Sequence, residues 1–266
     1  MTPRGPGVLV VVGGMGPAGA ERQARLLLEG LPARGFRPHL ACYRGPEEVF
    51  AALRAAGVGV HLLPRPRAKV WPLALLRFLD RLVGAERLDL VHAFLPAQAA
   101  LVPCLRIRRP RLRIVTGRRN LDEAISAREL RWQRATARLA HAVVANAHAV
   151  AASVEAHEPA LRGRVRVIPN GLPRLEPVSA AERAAGRTRW GLREEDEVIA
   201  YLAHFRRGKG HLHLASAAAQ IAPRFPRARF APEVLEDLFD TCRSSVIEDG
   251  DDLILTHMYI ERCLRP

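Results

Sequence analysis

Val8-Leu9-Val10-Val11-Val12-Gly13-Gly14-Met15-Gly16-Pro17-Ala18-Gly19-Ala20-Glu21-Arg22 decides the fold of this chain. Five consecutive apolar residues, four of them valine, read as a strand buried on both faces, the habit of a parallel sheet. The glycines that follow read as a tight loop, and Gly19 opens a helix. Such a unit aims the free N–H groups of a helix start at whatever sits above the strand. Open α/β sheets bind ligands at the carboxyl ends of their strands, so Gly13, Gly14, Gly16 and Gly19 are candidates for lining a cleft. A bare strand-to-helix turn explains the same glycines without a ligand. A second unit of this kind starts at Val198–Leu202 and runs into His204-Phe205-Arg206-Arg207-Gly208-Lys209-Gly210-His211.

Between these two units, strand and helix patterns alternate. The spacing predicts a helix over Gly19–Leu31, with Ala20, Ala24, Leu27, Leu28 and Leu31 on one face. It then predicts strands at Arg37–Cys42 and Val58–Leu63 around a helix at Glu47–Ala56. A helix at Pro72–Leu82 precedes a buried strand at Leu88–Ala93. Arg113–Thr116 continues the sheet, Leu130–Ala140 is an arginine-studded helix, and Ala142–Ala145 and Val165–Ile168 are short strands. Pro169-Asn170-Gly171 closes the unit. The expected fold is α/β: a doubly wound, parallel, Rossmann-like domain over 1–175 and an incomplete second α/β unit over 176–231. The polar stretch Pro173–Thr188 reads as the connection between them. In the second unit a helix is expected at Leu212–Ala222 and a strand at Arg229–Phe230.

Composition changes abruptly after Ala231. The first 231 residues hold 42 alanines and the last 35 hold none. That tail, 232–266, carries nine acidic residues against three arginines, for a net −6 in a chain of net +14. Two short helices about Asp249-Gly250-Asp251 are expected there. The three aspartates at 249, 251 and 252 lack the remaining positions of a calcium loop. The tail therefore reads as an acidic helical segment of other origin.

The sequence pI of about 11.1 raises the question of nucleic acid. Lysine occurs only at Lys69 and Lys209, and the arginines are spread over many segments with no DNA- or RNA-binding signature, which argues against a nucleic-acid partner. Cys42, Cys104, Cys242 and Cys263 match no zinc or redox spacing, so a reduced cytoplasmic setting is expected. No apolar run reaches the ~18 residues of a membrane span. Pro64–Trp71 mixes cations with an aromatic ahead of the Pro72–Leu82 helix, as interfacial segments do. Peripheral contact with anionic lipid at the inner membrane face is one reading, and a core-facing helix with a basic approach loop is the other.

Several ordered segments together resemble family 4 of the retaining glycosyltransferases, which have two Rossmann-like domains (the GT-B architecture). They are Gly13-Gly14-Met15-Gly16 with Gly19-Ala20-Glu21-Arg22, Asp89-Leu90-Val91-His92-Ala93, Arg118-Arg119-Asn120, Val143-Val144-Ala145-Asn146-Ala147, Val167-Ile168-Pro169-Asn170-Gly171, and Phe205-Arg206-Arg207-Gly208-Lys209-Gly210-His211. The resemblance spans roughly residues 7–230. It implies transfer of a sugar from a nucleotide-sugar to a glycan or lipid-linked acceptor with retention of configuration. It also implies no metal and no cofactor, an acceptor held mainly by the N-terminal domain and a donor held mainly by the C-terminal one.

Placed on that frame, Arg206 and Lys209 would hold the donor phosphates, where fixed cations and helix-terminal N–H groups stabilise the departing diphosphate. Gly210 would let the backbone come close. Arg118 and His92 are the candidate catalytic residues, and either Arg118 or Arg119 supplies a cation at a strand's carboxyl end. His92 also suits a structural role at the end of an apolar strand, and Asn170-Gly171 is turn chemistry near the cleft. The chain departs from the family where Arg118 ends a strand that often ends in histidine, and where His204 stands in place of arginine. It also lacks, in its tail, two glutamates separated by seven residues that in the family contact the donor. Two Rossmann-like domains of five ~30-residue βα units need ~300 residues. A non-catalytic, truncated or fused remnant that acts as a binding protein is therefore the second reading.

Overall fold

In the computed structural model, which describes residues 5–63, 71–119, 127–172, 177–201 and 210–230, every strand of the first unit is parallel. The chain runs β1 (Gly7–Val11), α1 (Gly19–Gly30), β2 (Arg37–Cys42), α2 (Glu47–Ala55), β3 (Gly59–Leu62), α3 (Trp71–Ala85) and β4 (Leu90–Ala93). It continues through α4 (Pro96–Leu101), α5 (Leu105–Arg108), β5 (Arg113–Arg118), α6 (Ala127–Thr136), β6 (Ala142–Ala145), α7 (His148–His157) and β7 (Val165–Val167). The seven strands lie in the order β3-β2-β1-β4-β5-β6-β7. The order reverses between β1 and β4, so the crevice of a doubly wound sheet opens at the carboxyl ends of those two strands.

Strand β1 shows why the sequence chooses this arrangement. All five of its residues are buried. Leu9 and Val11 point into one core with Leu75, Leu79, Val91 and Ala93, while Val10 and Val12 enter a second core with Leu28, Leu40, Cys42 and Phe50. The alternation of a strand thus feeds two cores, one under each helical layer. Each such Leu or Val is worth roughly 1.5–3 kcal/mol of transfer free energy. The start of the strand is fixed by Asp89, whose Oδ2 accepts the Gly7 N–H at 2.7 Å. A third, smaller core under β6 gathers Val143, Ala145, Val150, Val154 and Leu161.

Helix α3 buries Leu75, Leu79, Leu82 and Val83 and exposes Leu73 at 59%. One side of the helix therefore faces the core. The basic approach 64–70 lies outside the described residues. Among the described residues no helix is long and apolar enough to cross a membrane.

The chain divides into two compact units, Met1–Pro173 and Arg174–Pro266. The second contains α8 (Ala180–Arg189), β8 (Glu197–Ile199), α9 (His211–Ile221) and β9 (Ala228–Phe230), with β8 and β9 paired in parallel around α9. Helix α8 corrects the expectation that Pro173–Thr188 is only a connection. Ser179 caps it: its Oγ accepts the Glu182 N–H at 3.2 Å, and Glu182 Oε2 accepts the Ser179 N–H at 2.9 Å. This reciprocal Ser-x-x-Glu pairing starts a helix even where no apolar stripe exists. Residues 231–266, where two helices are expected, lie outside the described residues.

Candidate functional site

The loop after β1 is laced to the end of β2 and the residues that follow it. Val12 donates to the Ala41 carbonyl at 3.1 Å, Tyr43 to that of Gly13 at 3.2 Å, and Met15 to that of Arg44 at 2.9 Å. Glu21 Oε2 accepts the Ala18 N–H at 3.2 Å and starts α1. None of Gly13, Gly14, Gly16 and Gly19 adopts a positive φ. A Cβ on Gly13 would meet Leu95 at 3.8 Å and Gln98 at 4.0 Å, one on Gly16 would meet Glu21 at 3.5 Å, and one on Gly19 would meet nothing within 4 Å. Only Gly14 is tight, at 3.3 Å from the Arg44 carbonyl. Three of the four loop glycines are thus not demanded by the packing or backbone of the chain itself. Gly117 differs: a Cβ there would lie 2.9 Å from the Phe94 carbonyl.

The two arginines at the end of β5 part company. Arg118 is 3% exposed and paired with Glu158, Nη2 to Oε1 at 3.3 Å. Its guanidinium is buried rather than open on the cleft: Nη2 meets a carboxylate from the end of α7, while Nε and Nη1 have no hydrogen-bond partner among the described residues. Arg119 leaves on the opposite side. Its guanidinium lies 3.9 Å from the centre of the Phe94 ring, and its Nη1 donates to Asn170 Oδ1 at 2.9 Å. Asn146 Nδ2 donates to the Arg119 carbonyl at 3.4 Å. Burial lowers the Arg119 pKa to about 10, which leaves the group charged at neutral pH.

His92 stands behind this rim with its ring 4.7 Å from that of Phe94. Its Nε2 is shut off from solvent and makes no hydrogen bond among the described residues. Burial first, and the charge of Arg119 second, pull its pKa down to about 3. The ring is therefore neutral at physiological pH, with one nitrogen a donor and the other an acceptor.

Asn170 and Gly171 reach the same rim from the end of β7. Gln23 of α1 clamps Gly171 by two bonds: Nε2 donates to its carbonyl at 2.7 Å, and Oε1 accepts its N–H at 2.8 Å. The structure thus brings together the helix start behind the Gly13 loop, Arg119 and the Asn170-Gly171 turn. Gln23 and Gln98 carry no signal in the sequence, because polar residues on a helix face have no period to read, and Asn146 stands out there only as part of the Val143–Ala147 segment. In the second unit, Gly210 is the N-cap of α9 at φ +78°, a left-handed position that favours glycine. Arg206 and Lys209 lie outside the described residues.

Comparison with known proteins agrees with this geometry. Residues 17–174, more than half of the chain, match the family model described as Glycosyltransferase Family 4. Among solved structures, Anabaena HepE in complex with UDP and glucose superimposes with a TM-score of 0.67 at 19% identity, covering 92% of this chain and 67% of that one. A glycosyltransferase from Rickettsia africae gives 0.63 at 14% identity, covering 88% of this chain and 65% of that one. WaaG, a glycosyltransferase involved in lipopolysaccharide biosynthesis, gives 0.56 at 14% identity, covering 88% and 66%.

Residues 210–266 match a different model, the isocitrate dehydrogenase kinase/phosphatase (AceK) kinase domain. Curated relatives of that name agree over short stretches. The Xanthomonas campestris protein is 51% identical over 43 residues, and the Methylibium petroleiphilum protein 50% identical over 42. The stretch covers 16% of this chain, which spans only 7% of the length of either relative. The compositional break at Ala231 falls inside that second match, so the acidic tail has a relative outside the transferase family. The 17–174 match, the parallel sheet with its switch-point crevice and the glycine loop at its mouth agree: the chain belongs to glycosyltransferase family 4.

Proposed function

We propose that this chain takes part in transfer of a sugar, with retention and without a metal, from a nucleotide-sugar donor to a glycan or lipid-linked acceptor. The observation that carries the reading is the family match over 17–174. Complexes of HepE with UDP and glucose support the donor class. The free space before Gly13, Gly16 and Gly19 supports a cleft at the switch point. The acceptor lies against this rim, with Arg119 in place of Arg118 as its cation, while Arg206 and Lys209 hold the donor phosphates and Gly210 brings the α9 backbone near them. The protein acts in the cytoplasm, with cell-envelope polysaccharide as the wider product class and peripheral contact with anionic lipid at the inner membrane face.

A second reading has its own observation. The kinase/phosphatase-like stretch begins at residue 210, inside the second α/β unit, and the family's acidic donor motif is missing from the tail. On this reading the chain is a fused transferase remnant that binds without turnover. Thermal unfolding with UDP, GDP, ADP and their sugar conjugates separates the two. A ligand at ~100 times its dissociation constant stabilises the fold by ~2.7 kcal/mol. A selective shift that is lost on Lys209→Ala, with turnover of the matching nucleotide-sugar, supports transfer. No shift with any nucleotide overturns it.

A further inference from the structure

Away from the crevice, three side chains from three elements converge on the α3 side of the sheet edge. His39 lies on β2 and His61 on β3, where His61 pairs in register with Ala41. Glu86 follows directly on α3. Residues 39 and 41 share a face of β2, and Ala41 packs in the same core as Leu75 and Leu79 of α3. Both imidazoles are thus held against the sheet, and the end of α3 delivers the carboxylate. His39 Nδ1 and His61 Nε2 are 3.1 Å apart, and one donor atom from each of His39, His61 and Glu86 lies within 4.8 Å of the others.

We propose that His39, His61 and Glu86 form a divalent transition-metal site of zinc type. Two nitrogens bound tetrahedrally to one zinc ion at ~2.0–2.1 Å sit ~3.3 Å apart, so the two imidazoles already hold nearly that edge. Two imidazoles and a carboxylate are a donor set suited to zinc rather than to magnesium or calcium, which take oxygen ligands. Three protein ligands leave a fourth position for water.

The local backbone is shaped for this convergence. Gly59 is the register partner of His39. A Cβ on it would run into the imidazole, with Cε1 at 2.9 Å, so glycine leaves the His39 ring room to lie across β3 towards His61. Glu86 is fixed by the turn that ends α3. Leu88 donates to the Val83 carbonyl at 3.0 Å, and Arg87 to that of Gly84 at 3.3 Å, with Arg87 at φ +50°. A non-glycine residue in the left-handed region is uncommon, and here it closes a Schellman-type helix end.

Arg37 is the nearby cation that could oppose a metal. Its guanidinium is engaged by the carbonyls of Gly5, Glu86 and Arg87, at 2.9, 3.2 and 3.0 Å. His39 is 8% exposed, while His61 and Glu86 are half-buried, so an ion can enter from solvent. Binding moves the proton shared between the facing nitrogens to the far nitrogen of its own ring, and no proton need leave the pair. The ion would staple the β2–β3 edge to the end of α3. This role is separate from sugar transfer and does not depend on it.

The test is titration of the chelator-stripped full chain with Zn²⁺ and Co²⁺. The proposal expects one Zn²⁺ per chain, a rise in the unfolding temperature, and a visible Co²⁺ spectrum of tetrahedral type that Zn²⁺ displaces. Loss of a group that merely hydrogen-bonds a ligand already weakens such sites 10–100-fold, so removing a ligand in His61→Ala or Glu86→Gln is expected to weaken binding about tenfold or more. His157→Ala, at the end of α7, should leave it unchanged. If His61→Ala does not fold, the half-exposed Glu86→Gln carries the comparison. No binding near one equivalent, or affinity unchanged in both variants, overturns the site and leaves a hydrogen-bonded imidazole pair.

Discussion

Gln23 and Gly171 stand 148 residues apart in the chain and exchange two hydrogen bonds, at 2.7 and 2.8 Å. The side-chain amide of Gln23 offers one donor and one acceptor, and the peptide of Gly171 presents the complementary pair. This ties the first turns of α1 to the turn after β7 and closes the rim of the crevice across the sheet. Both bonds are exposed, so Gln23→Ala should cost only about 1 kcal/mol of global stability. The local effect should be larger. Amide exchange at Gly171 is expected to rise well above any change at β1, and equal rises at both would contradict a local clamp.

Arg118 and Arg119 should respond oppositely to substitution. Breaking a buried ion pair strands one charge and typically costs ~3–5 kcal/mol. Glu158→Gln and Arg118→Met are each expected to lower stability by that order in urea unfolding. The pair together, Arg118→Met with Glu158→Leu, should recover most of the loss. Arg119→Ala should cost less in stability, since its groups face the rim, and should lower affinity for the acceptor or turnover. Arg119→Lys keeps the charge but loses the planar stack on Phe94. A single Arg118 variant that loses activity at unchanged stability would restore Arg118 to the cleft.

His92 gives the chain an acid-sensitive limb. Its pKa is about 3 in the fold, held down chiefly by burial, against about 6.5 when unfolded. The unfolded state therefore binds a proton first as pH falls. The stabilisation from keeping the ring neutral is complete above pH ~6.5 and is lost progressively between ~6.5 and ~3, at up to roughly 1.4 kcal/mol per pH unit. His61 and His141, both also lowered by burial, add to the same limb. His92→Leu should flatten it in a pH series of urea midpoints. A slope unchanged by that substitution would mean the ring is not the group that titrates.

The elements legible in the sequence are those with a pattern. Strands β2 and β6 fall at Arg37–Cys42 and Ala142–Ala145, where short, largely apolar segments between helical patterns place them. Helix α4 has no such pattern, because Pro96–Leu101 is buried on most sides and offers no amphipathic stripe to read. Helix α8 had no apolar stripe either, and only its Ser179–Glu182 capping pair marked it. The glycine loop and the arginine pair were legible as site candidates. Which arginine faces the rim was not, since that depends on Glu158, 40 residues further on. The facing of His39 and His61 depends likewise on strand register, which the sequence does not state.

Glycines in the first loop should separate fold from function. Gly19 begins α1 with no neighbour for a Cβ within 4 Å and no positive φ. Gly19→Ala should therefore stabilise the chain by ~0.4–1 kcal/mol, through a less entropic unfolded state. Gly13→Ala should be near neutral for stability, because its Cβ finds ordinary contacts at 3.8 and 4.0 Å. Gly117→Ala should destabilise, because its Cβ would sit 2.9 Å from the Phe94 carbonyl in the buried end of β5. If sugar or phosphate groups approach the Gly13 loop, Gly13→Ala will lower ligand affinity at unchanged unfolding temperature. Loss of stability at Gly13 without loss of affinity would make the loop a folding turn, and the glycines would then need no ligand to explain them.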